Sequence, residues 1–170
     1  MAMATPTRLK IVSGGQTGAD IAALDWAIAR GIPHGGWCPK GRKCERGAIP
    51  ARYALTETEG EDYASRTERN VIDSDATVII TLAPVLGGGS KLTRDFALRH
   101  RKPVLHIHAG TSQRGWLLAA FMRQHKVTVL NVAGPRASVA RGVGRLVKAT
   151  LEEAWQFLAT QTPKSRVLEP

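Results

Sequence analysis

Short runs of apolar, β-forming residues alternate along this chain with longer stretches whose apolar positions recur at helical spacing. Residues 9–13 read as a strand, and residues 18–30 as a helix with Ile21, Leu24, Ala27 and Ile28 on one face. Asp20 falls in the first turn of that helix, where a negative charge suits the dipole. Gly31 and Pro33 close it. Residues 34–39 read as a second strand, and the loop that runs on to residue 58 is long enough to be a candidate functional element. A polar helix is expected at 62–74, with Tyr63, Val71 and Ile72 facing inward. The continuous apolar run 77–82 suits a central parallel strand covered on both faces. A helix over 91–101 follows, with Leu92, Phe96 and Leu98 as buried candidates, and then a strand over 103–107. A helix capped by Thr111 or Ser112 runs to Gln124, a strand spans 127–132, and a last helix, capped by Ser138, runs to residue 159.

This alternation implies a parallel sheet with right-handed crossovers, an open three-layer α/β fold with helices on both faces. A closed eight-fold barrel would need about 250 residues; the chain has 170. The expected organisation is one ligand-binding domain over 8–160, a disordered lead-in at 1–7 and a flexible tail at 161–170.

Composition narrows the partners. No apolar run approaches the roughly 20 residues a membrane helix requires, and the N-terminal segment lacks the apolar core of a secretory signal. No membrane partner is expected, and the expected location is the cytoplasm. Cys38 and Cys44 could join in a disulfide or supply half a metal site. No second Cys/His pair has a zinc-finger spacing, so reduced thiols and no bound metal are expected. The net charge of +10 favours an anionic partner. The Lys and Arg are spread widely, however, with no interleaved aromatic platform, which argues against specific nucleic-acid binding. A homo-oligomer is expected of a small α/β protein with four Trp.

Two glycine-rich segments follow apolar strands. Gly14-Gly15-Gln16-Thr17-Gly18-Ala19-Asp20 lacks the Gly-Lys-Ser/Thr of a Walker loop and is not Gly-x-Gly-x-x-Gly. Its glycines still permit close backbone approach, and Gln16 and Thr17 offer side-chain donors. Gly87-Gly88-Gly89-Ser90-Lys91 ends another strand, with Ser90 and Thr93 as hydroxyl donors. Open parallel sheets bind ligands at the carboxyl ends of their strands, and helix N-termini there suit a phosphate. Lys40-Gly41-Arg42 adds cations beside Trp37, and Asn131 and Arg136 flank a third strand-to-helix loop. These segments are expected to form one rim around a small phosphate-bearing ligand, a nucleotide among the candidates. His106 and His108 share a strand face but have no evident third metal ligand.

An ordered series of motifs carries a resemblance. It comprises residues 14–20, Gly35-Gly36-Trp37-Cys38-Pro39-Lys40-Gly41-Arg42, Leu55-Thr56-Glu57-Thr58, Arg66-Thr67-Glu68-Arg69-Asn70-Val71, Asp73-Ser74-Asp75-Ala76 and Asn131-Val132-Ala133-Gly134-Pro135-Arg136. From residue 11 to 142 the chain resembles the molybdenum carrier family. The resemblance implies a Rossmann-like fold related to molybdenum cofactor carriers and to lysine-decarboxylase-like phosphoribohydrolases. The carriers bind molybdopterin cofactor, a pterin with a phosphate. By that analogy the glycine loops would hold phosphate, and the cationic loop would meet the molybdenum-bearing end. The phosphoribohydrolases carry Pro-Gly-Gly-x-Gly-Thr-x-x-Glu with a catalytic Glu; here the start is lost and Arg94 or Asp95 stands where Glu is expected. The expected function is therefore a carrier or binding protein for molybdenum cofactor, with no catalytic residue assigned. A nucleotide-processing hydrolase is the alternative, and a nucleic-acid-binding protein the further one.

Overall fold

The computed structural model of the chain describes residues 8–160; the segments read as lead-in and tail, 1–7 and 161–170, lie outside the described residues. The chain opens with β1 (Lys10–Val12), α1 (Ala19–Ala29), β2 (His34–Gly35) and β3 (Trp37–Cys38). A 3-10 turn at Lys40–Arg42 leads into β4 (Lys43–Cys44), β5 (Gly47–Ala48) and β6 (Thr56–Glu57). Then come α2 (Tyr63–Ile72), β7 (Ala76–Thr81), α3 (Gly88–Arg99), β8 (Val104–His108), α4 (Arg114–Gln124), β9 (Val129–Ala133) and α5 (Val143–Thr160).

Five strands form one parallel sheet in the order β2-β1-β9-β7-β8. All six residues of β7 are buried, as both faces of a central parallel strand should be. Val78 and Ile80 belong to the main core with Ile11, Leu130, Val132 and the inner faces of α1, α4 and α5. Helices α2 and α3 pack together over a smaller cluster of Val71, Phe96 and Ala97. The result is the expected three-layer, Rossmann-like α/β arrangement.

The second strand differs from expectation. It breaks into β2, which joins the main sheet beside β1, and β3, which pairs with β6. Gly36 makes the break at φ 129, and a Cβ there would overlap the Ser13 carbonyl oxygen. The long loop is folded as well. Strands β4 and β5 form a hairpin, and Cys38, Cys44, Ile49 and Tyr53 close a separate apolar cluster with Leu24. Both cysteines are free thiols in that cluster, and burial pushes the Cys38 thiol up.

Helix boundaries show which local rules prevail. Asp62 caps α2, its carboxylate accepting from the Ser65 N–H at 2.7 Å. Asp62→Ala should lower stability, read as a fall in the urea midpoint at constant slope. Helix α3 starts at Gly88, so two of the three consecutive glycines lie inside its first turn rather than in a loop. Helix α4 is preceded by Gln113 in a left-handed conformation (φ 52), not by a Thr111 or Ser112 cap; the Thr111 hydroxyl accepts from the His108 N–H instead. Ser138 does not cap α5, because its hydroxyl is bound to Glu45 and the helix begins at Val143. Ile72 and Leu98, expected inside, are 43% and 61% exposed.

Candidate functional site

Strand β9 lies between β1 and β7, while the chain leaves β1 toward one sheet edge and β7 toward the other. At such a reversal the loops beyond the carboxyl ends splay apart and leave a crevice. The loops after β1, β7 and β9 do so here, bounding with α2 a cavity of about 800 Å³.

Gly87 is the N-cap of α3, with no side-chain cap, and Gly87, Gly88, Gly89 and Ser90 all line the cavity. The Gly88 and Gly89 N–H groups have no acceptor within the helix, because the first turn has no preceding carbonyls to reach. A Cβ at Gly87, Gly88 or Gly89 would meet nothing within 4 Å. This helix end is thus open to the cavity, with its positive dipole end toward it. Thr93 is buried, and its hydroxyl donates to the Gly89 carbonyl at 2.8 Å, holding the turn in shape.

The wall after β1 is polar and buried. Gln16 is 5% exposed; its side-chain carbonyl accepts from the N–H groups of Thr17 and Glu45, and its amide nitrogen has no hydrogen-bond partner among the described residues. An unmet buried donor costs about 1–3 kcal/mol, and this one belongs to a residue that lines the cavity. Asp20, also buried, accepts from the Gln16 N–H at 3.1 Å. Its carboxyl is pushed up by burial, against the opposing pull of the Arg66 guanidinium 4.0 Å away. Arg66, buried on α2, donates to the Gly14 carbonyl. Gly14 must lack a side chain for this, since a Cβ would run into that guanidinium.

The third loop is fastened to the first. Gly18 (φ 83) allows the backbones to touch: a Cβ would lie 2.6 Å from the Pro135 carbonyl oxygen and 2.7 Å from the Ala137 nitrogen. Glu45, on the β4–β5 hairpin, accepts from the hydroxyls of Thr17 and Ser138 and from the Ser138 N–H. Those hydrogen bonds hold its carboxyl below the usual carboxylate range. This clasp sets the loop that carries Arg136 over the cavity.

Of the residues singled out from the sequence, Gly14, Gln16, Asp20, Gly87, Gly88, Gly89, Ser90, Thr93, Asn131 and Arg136 line this one cavity. Gly15, Thr17 and Gly18 shape its walls from behind; Gly15 (φ 76) packs against Ile49 and Leu55. Lys40, Gly41 and Arg42 stand elsewhere. The Arg42 guanidinium donates to the carbonyls of Ile49, Pro50, Tyr53 and Leu55, and the Gly41 N–H donates to Glu57. Lys40 is exposed and away from the lining. Trp37 is turned outward, donating to Asp73 at 2.7 Å with Arg69 over its ring. Asp95 pairs with Arg94 and does not line the cavity. His106 bonds the Thr81 hydroxyl at 2.7 Å, and burial keeps its pKa low.

Tyr63, Arg66, Thr67 and Asn70, none of them expected at the site, line the cavity from one face of α2. Their spacing of three and four residues puts them on one helical stripe. The stripe is polar, so it reads as a solvated face.

The signature of the circularly permutated YpsA SLOG family matches residues 11–155. A crystal structure at 1.45 Å described as "Putative molybdenum carrier protein", from Syntrophus aciditrophicus SB, is 47% identical, with a TM-score of 0.84 over 87% of this chain and 95% of that one. A structure of (E)-4-hydroxy-3-methyl-but-2-enyl diphosphate reductase aligns at 10% identity and a TM-score of 0.39, over 86% of this chain and 60% of that one. No curated protein matches the chain.

Proposed function

The chain belongs to the circularly permutated YpsA SLOG family, and from that premise we propose that its cavity binds a phosphate-bearing heterocycle, with molybdenum cofactor as the named candidate. The observation that carries the reading is the open N-terminus of α3 facing a cavity that also holds an unpartnered, buried amide donor on Gln16. Unmet N–H groups at a helix N-terminus in a concave site suit an anion by themselves, and the Gln16 amide adds a further donor to the same cavity.

Each part of the lining has a role in this reading. The N–H groups of Gly88 and Gly89 receive the phosphate, and Ser90 adds a hydroxyl. Leu82, Val85, Leu92 and Val139 give the cavity an apolar wall for a flat ring. Val85 and Val139 are 79% and 74% exposed, so a ring stacked on them would bury apolar surface. The donor set fits the cofactor's phosphate. The lining contains no cysteine, so this chain's contribution to the metal-bearing end is cationic rather than thiolate. The description of the 47% identical protein as a molybdenum carrier supports a molybdenum-related ligand.

Native mass spectrometry of protein purified without ligand, from cells supplied with molybdate, tests the identity of the cargo. A bound mass equal to the pterin phosphate, with molybdenum's isotope pattern, is the expected result. Bare protein, or a mass lacking both phosphate and heterocycle, would overturn it.

A further inference from the structure

We infer that the cavity holds a second oxyanion subsite, built by Arg66, Arg136 and the Gln16 amide on the β1 side, so that its ligand carries negative charge at both ends. The inference rests on the phosphate reading for the first subsite, at α3, and deepens it.

Three cations crowd one aromatic ring at this end. Arg66, Arg136 and Lys43 lie 5.3, 5.5 and 5.9 Å from the Tyr63 ring centre, and Tyr63, Arg66 and Arg136 line the cavity. Like charges gathered around one ring repel, and an anion among them removes that cost. Two carboxylates are near. The oxygens of Glu45 are occupied by the Thr17 and Ser138 donors. Asp20 pairs with Arg66 at 4.0 Å and accepts from the Gln16 N–H, while Arg66 also donates to the Gly14 carbonyl and the Thr67 hydroxyl, which leaves its second terminal nitrogen for a ligand. Among the described residues the Arg136 guanidinium lies over Tyr63, acts on Glu45 only at long range, and makes no hydrogen bond or salt bridge, and the buried Gln16 amide nitrogen has no hydrogen-bond partner. These donors remain for a ligand.

The register of the sheet sets the span. Strands β1 and β7 lie two positions apart, with β9 between them. Strand spacing puts their carboxyl ends about 10 Å apart. A single phosphate cannot reach both ends, whereas an elongated ligand with an anion at each end can. The chemical class is a mononucleotide-sized heterocycle with a phosphate at one end and an oxyanion at the other. The cations at this end are thus Arg136, expected on the rim, and Arg66, in place of Lys40 and Arg42.

Crystals of the full chain soaked in selenate, a tetrahedral anion visible by anomalous scattering, test this. Two peaks are expected in the wild type, one at Gly88–Ser90 and one between Arg66 and Arg136. Arg136→Gln should lose only the second peak, and Gly89→Asp only the first. A peak at α3 alone, unchanged in Arg136→Gln, overturns the second subsite and leaves the phosphate reading standing. A peak at Arg136 alone does the opposite. No peak at either place overturns both. A thermal melt of each variant within a few degrees of wild type shows that a lost peak is not a lost fold, and Arg136→Lys should keep a weaker second peak.

Discussion

Arg66→Met should lower the unfolding free energy by about 3–5 kcal/mol at neutral pH, the range for removing one partner of a buried ion pair. The guanidinium is buried, holds the Gly14 carbonyl and is the cation nearest the buried Asp20. Without it, Asp20 stays desolvated with only hydrogen bonds to offset its charge. The pH dependence has a definite sign. Burial already raises the Asp20 pKa in the folded chain. A carboxyl with a raised folded pKa favours folding at low pH, and that contribution is lost as pH rises from the unfolded value through the folded one. Removing Arg66 raises the folded value further, so the variant should lose more stability than the wild type between acidic and neutral pH. Adding Asp20→Asn should recover part of the loss at neutral pH, giving a coupling energy in a double-mutant cycle. Urea melts of the four proteins at both pH values measure this. Equal stability of wild type and Arg66→Met at neutral pH would refute the pairing.

The sheet and the three loops were legible because their signals are local. Apolar runs such as 9–12 lead into glycine-rich loops, and a strand end followed by a helix in a parallel sheet has only one side on which to place a ligand. What was hidden depends on contacts across the chain. Arg42 carries the same charge as Arg66, yet it serves four carbonyls of a loop that lacks strand partners for them. Arg66 reads as a surface charge on a polar helix and becomes a buried wall only when α2 is laid beside the β1 loop. Gly36 gives no sign in the sequence that the strand must break there; the reason is the Ser13 backbone that passes beside it. Ser138 looks like a helix cap until Glu45, far back in the chain, claims its hydroxyl.

Gly89→Asp separates binding from folding more sharply than any other change. Gly89 sits in the first turn of α3, where an added Cβ meets nothing within 4 Å. Replacing a helical glycine favours the helix by up to about 1 kcal/mol. An acid in the first turn adds about 0.3–1 kcal/mol through the dipole. The fold should therefore become slightly more stable. The same carboxylate occupies the helix end proposed for the phosphate and repels it, so affinity should fall by about 100-fold, or about 2.7 kcal/mol. The decisive measurement is calorimetric titration of both proteins with guanosine monophosphate, a phosphate monoester bearing a fused pyrimidinone ring. The wild type should bind, and Gly89→Asp should lose at least about 100-fold in affinity with its melting temperature unchanged or raised. Equal affinities in the two proteins, or no binding by the wild type, would contradict the phosphate reading.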